Sequence, residues 1–360
     1  MADSVRVEQF RVEQTEALLR FLRIAYADDE RKYDPGFWRW HYLENPNTQS
    51  GDIPLWIVTC GTEVAGQLAT IPVQVKAGKV TRPAIWILDF IVREDLRGKG
   101  LGKELVRAAG KKYSTMITLG INDQSAGVFR SQGWADMGRI HRYQRWLYAG
   151  NGLKGAARIE LVRGALNLLS LPLRRGVGWA TQGQRYIVKT VRTFGADFDE
   201  LWERASGQWP CVVRRDVRTL AWQFERQPWK TFEILGAYAG ERLVGYVVLF
   251  FRKGIGSGGP EKAAISDFFY ERENANEIVE TLIQCSLRRA LEERAGSLVT
   301  DVLDTLTEES LSRHGFSRIA KSPQFMAIAA EDKQRICRPE NWFLTRGDAD
   351  VSIIEQPNLV

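Results

Sequence analysis

Leu88-Asp89-Phe90-Ile91-Val92, followed by Arg97-Gly98-Lys99-Gly100-Leu101-Gly102, is the stretch that decides the reading of this chain. The first part is an apolar, β-branched and aromatic run of the kind that forms a buried strand. The second is a glycine-studded turn carrying two basic residues, and the residues from Gly100 to Tyr113 have the apolar spacing of a helix. Glycine lets a backbone approach an anion closely, and the first N–H groups of a helix have no intrahelical partner. Strand, turn and helix together predict a pyrophosphate cradle at Gly98–Gly102. The spacing excludes two other phosphate loops. A dinucleotide turn reads G-x-G-x-x-G with an acidic residue roughly twenty positions on, and a P-loop reads G-x-x-x-x-G-K-[ST].

Arg97, Gly100 and Gly102 instead spell R-x-x-G-x-G. Upstream lies Phe90-Ile91-Val92; downstream lie Asn122-Asp123-Gln124-Ser125-Ala126 and then Phe129-Arg130-Ser131-Gln132-Gly133-Trp134. With these three segments in order, residues 50–147 resemble the Gcn5-related N-acetyltransferase (GNAT) superfamily. The resemblance implies an α/β fold with a mixed, largely antiparallel twisted sheet flanked by helices. It also implies acetyl-CoA as co-substrate and no metal. Carried over residue by residue, it places Phe90, Ile91, Val92, Arg97, Gly98, Lys99, Gly100, Leu101, Gly102, Asn122 and Phe129 around that co-substrate. A backbone N–H near Ile91 and Val92 then polarises the thioester carbonyl.

The resemblance departs from the family at one point. A tyrosine often protonates the leaving thiolate at the position held here by Phe129, which cannot donate a proton. Another group, a water, or departure of the thiolate unprotonated stay open. Asp89, beside the expected cofactor strand, is the candidate general base or amine anchor, with a structural carboxylate as its alternative reading; His141 and Tyr143 are further candidates. The implied reaction is acetyl transfer to an amine of a small molecule or amino sugar. A non-catalytic acyl-CoA-binding protein, or an aminoacyl or longer-chain acyltransferase of the same fold, are the rival readings.

Composition bounds the rest. The chain has 360 residues, 44% hydrophobic and 26% charged, as a globular protein with more than one core requires. No run reaches the ~18 apolar residues of a spanning helix, and the N-terminus lacks a signal-peptide core, so a cytoplasmic location is expected. Cys60, Cys211, Cys285 and Cys337 are isolated, as are the three histidines, so neither disulfide framework nor zinc site is indicated. Residues 151–195 hold eight basic residues and one acidic, a balance of +7. The whole chain is +6, so the other 315 residues sum to −1. That local basicity, without a recognition helix or stacking platform, argues against nucleic acid. Within it, 157–175 mixes leucines with arginines and reads either as a peripheral contact with the inner membrane face or as packing across a domain junction.

The sequence also repeats. Trp40 and Trp222 each precede a proline by six residues, and Gly61–Gly66, Ile87–Phe90 and Gly133–Trp134 recur as Gly240–Gly245, Ile265–Phe268 and Gly315–Phe316. The offsets are 182, 179, 178 and 182, too long for a solenoid. Two copies of one fold are expected: 1–150 with the glycine loop, a basic connector over 151–195, a second copy over 196–350, and a tail over 351–360. The second copy has Asn276, Ile278 and Glu280 where the first has glycines, and Glu271 and Glu273 nearby, so it is not expected to hold a phosphate. Trp38, Trp40 and Trp222 read as packing residues ahead of substrate stacking, and Asp348 and Asp350 as turn carboxylates ahead of an acceptor-site lining.

Overall fold

Apolar runs separated by turn residues define the strands, and tertiary pairing defines where they go. In the computed structural model, residues 4–49, 51–152, 160–174, 185–252, 260–320 and 322–348 are described. The first half runs β1 (Val5–Gln9), α1 (Thr15–Ala25), α2 (Pro35–Trp38), β2 (Trp56–Cys60), β3 (Glu63–Ala77), β4 (Val80–Val92), α3 (Leu101–Gly110), β5 (Thr115–Leu119), α4 (Asp123–Arg130), β6 (Ala135–Arg139) and β7 (His141–Trp146). Three short helices follow, α5 (Ala149–Gly152), α6 (Glu160–Leu169) and α7 (Leu171–Arg174). The second half runs β8 (Ile187–Val191), α8 (Ala196–Ala205), β9 (Cys211–Val213), α9 (Val217–Leu220), β10 (Phe232–Ala239), β11 (Arg242–Arg252), β12 (Lys262–Tyr270), α10 (Ala275–Glu292), β13 (Ser297–Leu303), α11 (Thr305–Arg313), β14 (Ser317–Ile319), β15 (Gln324–Ala329), α12 (Lys333–Ile336) and β16 (Trp342–Thr345).

The architecture is mixed α/β, as expected. Its strands join in one continuous sheet, ordered β6-β15-β5-β4-β3-β9-β16-β13-β12-β11-β10-β8, with β1 and β2 branching from β3 and β7 and β14 from β13. The described pairings are antiparallel except β4–β5, β12–β13 and β9–β16. α3 buries Leu101, Leu105, Val106 and Ala109 on one stripe against the sheet. Each leucine and the valine contribute on the order of 1.5–3 kcal/mol when fully buried.

The two halves exchange a strand. β15 lies between β5 and β6, pairing Phe325–Ala329 with Leu119–Thr115 and Gln324 with Arg139. In return β7 lies between β13 and β14, with Ser297–Val302 opposite Trp146–His141. The cause is local. Ile140 alone separates β6 from β7, and one residue is too short to reverse the chain into a hairpin. The chain therefore runs on into the other half. The expected division at 150 assigns β7 by chain order; hydrogen bonding assigns it to the strands of the other half.

The connector expected over 151–195 is also shorter than that range. Ile187–Val191 is a strand paired with β10, not a linker. It lies 182 residues after β1, so it is the element that opens the second half.

Candidate active site

The glycine turn sits where two parallel strands part. β4 pairs with β5 only at Ile85, Trp86 and Ile87, and the Thr118 hydroxyl closes that ladder by donating to the Ile87 carbonyl at 3.1 Å. Beyond it Leu88–Val92 continue along β3 alone, leaving their β5 side open. Against β3, Leu68 opposes Phe90 and Thr70 opposes Ile87, so Leu88 and Asp89 bulge opposite Ala69. The bulge separates the side chains. Phe90 and Val92 pack towards α3 and α4. Ile91 packs towards α1, and Asp89 meets Lys32 on the segment that follows α1.

Gly98 and Gly100 have φ of 78° and 83°, a left-handed region that side chains with a Cβ disfavour, and Gly100 is the N-cap of α3. No side chain caps that terminus, so its first N–H groups face outward. At Gly102 a Cβ would sit 2.8 Å from the end of the Phe90 ring. Arg97 Nε donates to the Val92 carbonyl at 3.0 Å and ties the turn back to β4. Arg97, Gly98, Lys99 and Gly100 are all exposed. The result is an open, basic, uncapped helix terminus beside a splayed strand, which fits the diphosphate and thioester ends of an acyl-CoA.

Two expected cofactor residues have other partners. Phe129 is fully buried, its ring 5.6 Å from Phe90 and 4.6 Å from Trp134. It supports the strand from behind and has no surface to offer a ligand, which corrects the contact expected of it. The reason is helical phase: Ala126 and Phe129 are the inward positions of α4. Asn122 is exposed, and its Oδ1 accepts from the Ser125 N–H at 2.8 Å as the N-cap of α4.

Asp89 has a partner that sequence reasoning missed. The Lys32 ammonium donates to Asp89 Oδ2 at 2.5 Å, with the lysine side chain buried and the carboxylate one-fifth exposed. Both line a small cavity with His41, Gln67 and Trp38. Its volume, about 30 Å³, is far below the several hundred Å³ of a small-molecule site. His41 Nδ1 is buried without a hydrogen-bond partner, and burial holds this imidazole down at about 4. Nothing in the spacing around Lys32 or His41 marks either residue; they meet Asp89 only because α1 and α2 pack on that face of the sheet.

His141 and Tyr143 lie elsewhere. Both bind Glu308 of α11: His141 through Nδ1, and Tyr143 by donating its hydroxyl at 3.0 Å. Burial and then the carboxylate push the phenol up to about 12. This group lines an open groove of about 1150 Å³ beside the exchanged strand. Among the described residues no cluster of three or more histidines, cysteines or carboxylates is arranged to hold a metal.

The equivalent cleft in the second half is filled. β12 pairs with β13 at Ala263 and Ala264, and Thr300 repeats the closing bond to the Ile265 carbonyl at 3.2 Å. Beyond it stands Phe343 of β16, fully buried, with ring centroids 5.6, 5.9 and 6.0 Å from Phe268, Phe269 and Tyr270. α10 follows Asn274 directly and has no glycine turn. Asp348 lies in the turn Arg346–Asp348, where it accepts from the Thr345 N–H at 2.7 Å, and is buried beside Arg215, which donates to it through Nη2 at 2.5 Å; Asp350 lies outside the described residues.

Residues 15–134 match the model of the acetyltransferase (GNAT) family. That segment is a GNAT domain. No protein of curated function matches the chain by sequence. Likeness to solved structures extends past the GNAT domain to most of the chain. A probable N-acyltransferase of Enterococcus faecalis V583 aligns over 93% of this chain and 73% of its own, at 14% identity and a TM-score of 0.59. A GCN5-related N-acetyltransferase of Anabaena variabilis gives the same coverage and identity at 0.58. Saccharomyces cerevisiae N-myristoyltransferase, solved with bound myristoyl-CoA, aligns over 91% of this chain and 83% of its own at 11% identity and 0.57. At such identities the likeness is one of fold.

Proposed function

We propose that the chain is an acyl-CoA-dependent N-acyltransferase that transfers acetyl to an amine of a small molecule or amino sugar, with the co-substrate held by the first half. The observation that carries this reading is the splay of β4 from β5 beside the uncapped, glycine-flanked N-terminus of α3. Acetyl-CoA supplies an activated thioester. The chain's residues do the rest. Gly98, Gly100, Leu101 and Gly102 offer backbone N–H groups to the diphosphate, with Arg97 and Lys99 adding charge. Phe90 and Val92 turn their strand N–H groups to the open side, where one can donate to the carbonyl oxygen as charge develops on it, while Ile91 between them faces β3. Asn122 lies at the start of the neighbouring helix, on the far side of the opening.

Asp89 holds the acceptor's ammonium or takes its proton, and Lys32 fixes the carboxylate in place. The second half is read as a second copy of the same fold that supplies β15 to the first sheet and walls the acceptor side. With Phe343 in its own cleft, it binds no acyl-CoA.

Acetyl-CoA at a hundredfold excess over Kd stabilises a single-site binder by about 2.7 kcal/mol. Thermal unfolding should show that shift for the wild type and for Glu280→Gln, and lose it for Gly102→Glu. Retention of the full shift by Gly102→Glu sinks the site assignment. Acetylated product from a mixed amine panel, followed by mass spectrometry with 13C-acetyl-CoA, then separates an enzyme from a protein that only binds acyl-CoA.

A further inference from the structure

The α6–α7 segment is amphipathic in the inverted sense. Apart from Glu160 at its start, its polar side chains face the protein. Asn167 Oδ1 accepts from the Gly150 N–H at 2.9 Å, and its Nδ2 donates to Asn151 Oδ1 at 3.0 Å. Ser170 is buried and donates to the Asn167 carbonyl. Arg174 donates to the same carbonyl at 2.7 Å and lies 4.3 Å over the Tyr148 ring, while Arg145 donates to the Leu173 carbonyl at 3.0 Å. Gly150 lets the helix seat closely: a Cβ there would come within 2.2 Å of the Arg163 carbonyl oxygen.

That anchoring fixes which face looks outward, and the outward face is apolar. Leu161, Leu168 and Leu169 are 87%, 66% and 75% exposed, and Val162, Leu171 and Leu173 are exposed as well. Six of the thirteen exposed large hydrophobic residues among those described fall in this one run. Glu160 is its only acidic residue. Rolling the leucines inward would break the polar anchors, so the face is not a core stripe waiting to close.

We propose that this face is an interfacial anchor that lies on an anionic lipid bilayer. Charge selects that occupant. The leucine face lies within residues 151–175, which hold five basic residues against Glu160, a balance of +4, with Lys154 and Arg158 before it in sequence and Arg175 after it. A second copy of this chain would set +4 against +4, whereas anionic headgroups attract basic residues next to a buried apolar face. No helix among the described residues is long and apolar enough to cross a membrane, so the segment lies on the surface and does not span it.

The test is co-sedimentation of the full chain with vesicles of phosphatidylcholine alone or mixed with phosphatidylserine. Wild type should pellet with the mixed vesicles. Leu168→Ser/Leu169→Ser should weaken that binding by about tenfold or more, as loss of two inserted leucines requires. Arg158→Glu/Arg175→Glu should weaken it too, as should salt near 1 M, where the screening length is about 3 Å. Both variants should keep the wild-type circular dichroism and melting temperature, since the leucines are exposed. Equal sedimentation of wild type and the leucine variant, or none with either vesicle, overturns the proposal. A concentration-dependent dimer that the leucine variant abolishes also overturns it, by assigning the face to a second copy. None of these readouts depends on acyl transfer.

Discussion

The indole of Trp40 lies on that of Trp222, ring centroids 4.9 Å apart and planes 13° apart, and each Nε1–H donates to the other's backbone carbonyl, at 2.8 and 2.9 Å. The two residues occupy matching positions. Asp34 and Asp216, 182 residues apart, each cap a four-residue helix (α2 and α9) through the N–H three residues on. Each helix then runs into a five-residue π-turn, Arg39–Leu43 and Ala221–Glu225, which carries the tryptophan. The pair is a reciprocal contact within one buried apolar cluster, formed by the two occurrences of one sequence landmark.

Replacing either tryptophan by phenylalanine removes one indole donor and leaves a buried carbonyl without its partner. The expected cost is about 1–3 kcal/mol in urea unfolding. Because the two bonds share one stacked geometry, the double variant Trp40→Phe/Trp222→Phe should cost less than the sum of the singles. Strict additivity would show that the pair is not coupled.

The strand exchange makes the halves interdependent. Residues 1–150 expressed alone have a gap between β5 and β6 that β15 fills in the full chain. That fragment should be insoluble, unfolded or aggregated, and coexpression with residues 185–360 should recover a soluble complex. A monomeric fragment 1–150 with a cooperative melt would refute the interdependence.

Asp89→Asn leaves the buried Lys32 ammonium without a countercharge. Breaking a buried pair costs about 3–5 kcal/mol, and the partial exposure of Asp89 places this one at the lower end. Lys32→Met with Asp89→Leu should recover much of that stability while turnover stays lost. If Asp89 acts on the acceptor amine, Asp89→Asn keeps the acetyl-CoA melting shift and loses kcat. An unchanged kcat would leave it a structural carboxylate.

Phe129→Tyr restores the residue that the family often uses as an acid. Position 129 is fully buried against Phe90 and Trp134, so the new hydroxyl would enter an apolar core. Loss of about 1–3 kcal/mol and no gain in turnover are expected, from parallel denaturation and activity assays. A large rate increase would mean that the ring reaches the cleft.

His41 makes stability depend on acid. Its imidazole is held at about 4 by burial, against an ordinary 6.5. Between those values the unfolded chain binds a proton that the folded chain does not, so stability falls as pH drops through that window, by up to about 3 kcal/mol. Asp348, pushed up to about 6 by burial, works the other way: the folded state keeps its proton, and that contribution is lost as pH rises from about 4 to 6. His41→Gln isolates the imidazole. Its unfolding free energy should decline less than that of wild type between pH 7 and pH 4.5, and identical slopes would refute the assignment.

The glycine turn of this protein is written in local sequence. Left-handed glycines at 98 and 100, a strand before them and a helix after them are short-range features, each dictated by neighbours a few residues away. So Leu88 to Gly102 could be read as a cradle, and the repeated landmarks as two related halves. What is non-local was not legible. Ile140 is too short a connection for a hairpin, yet only the assembled sheet shows that β7 and β15 trade places. Lys32 reaches Asp89 across 57 positions, Phe343 fills the second cleft, and Leu161, Leu168 and Leu169 of α6 face outward while Asn167 is held inside. Each of these depends on which surfaces pack together, and spacing along the chain carries no term for that.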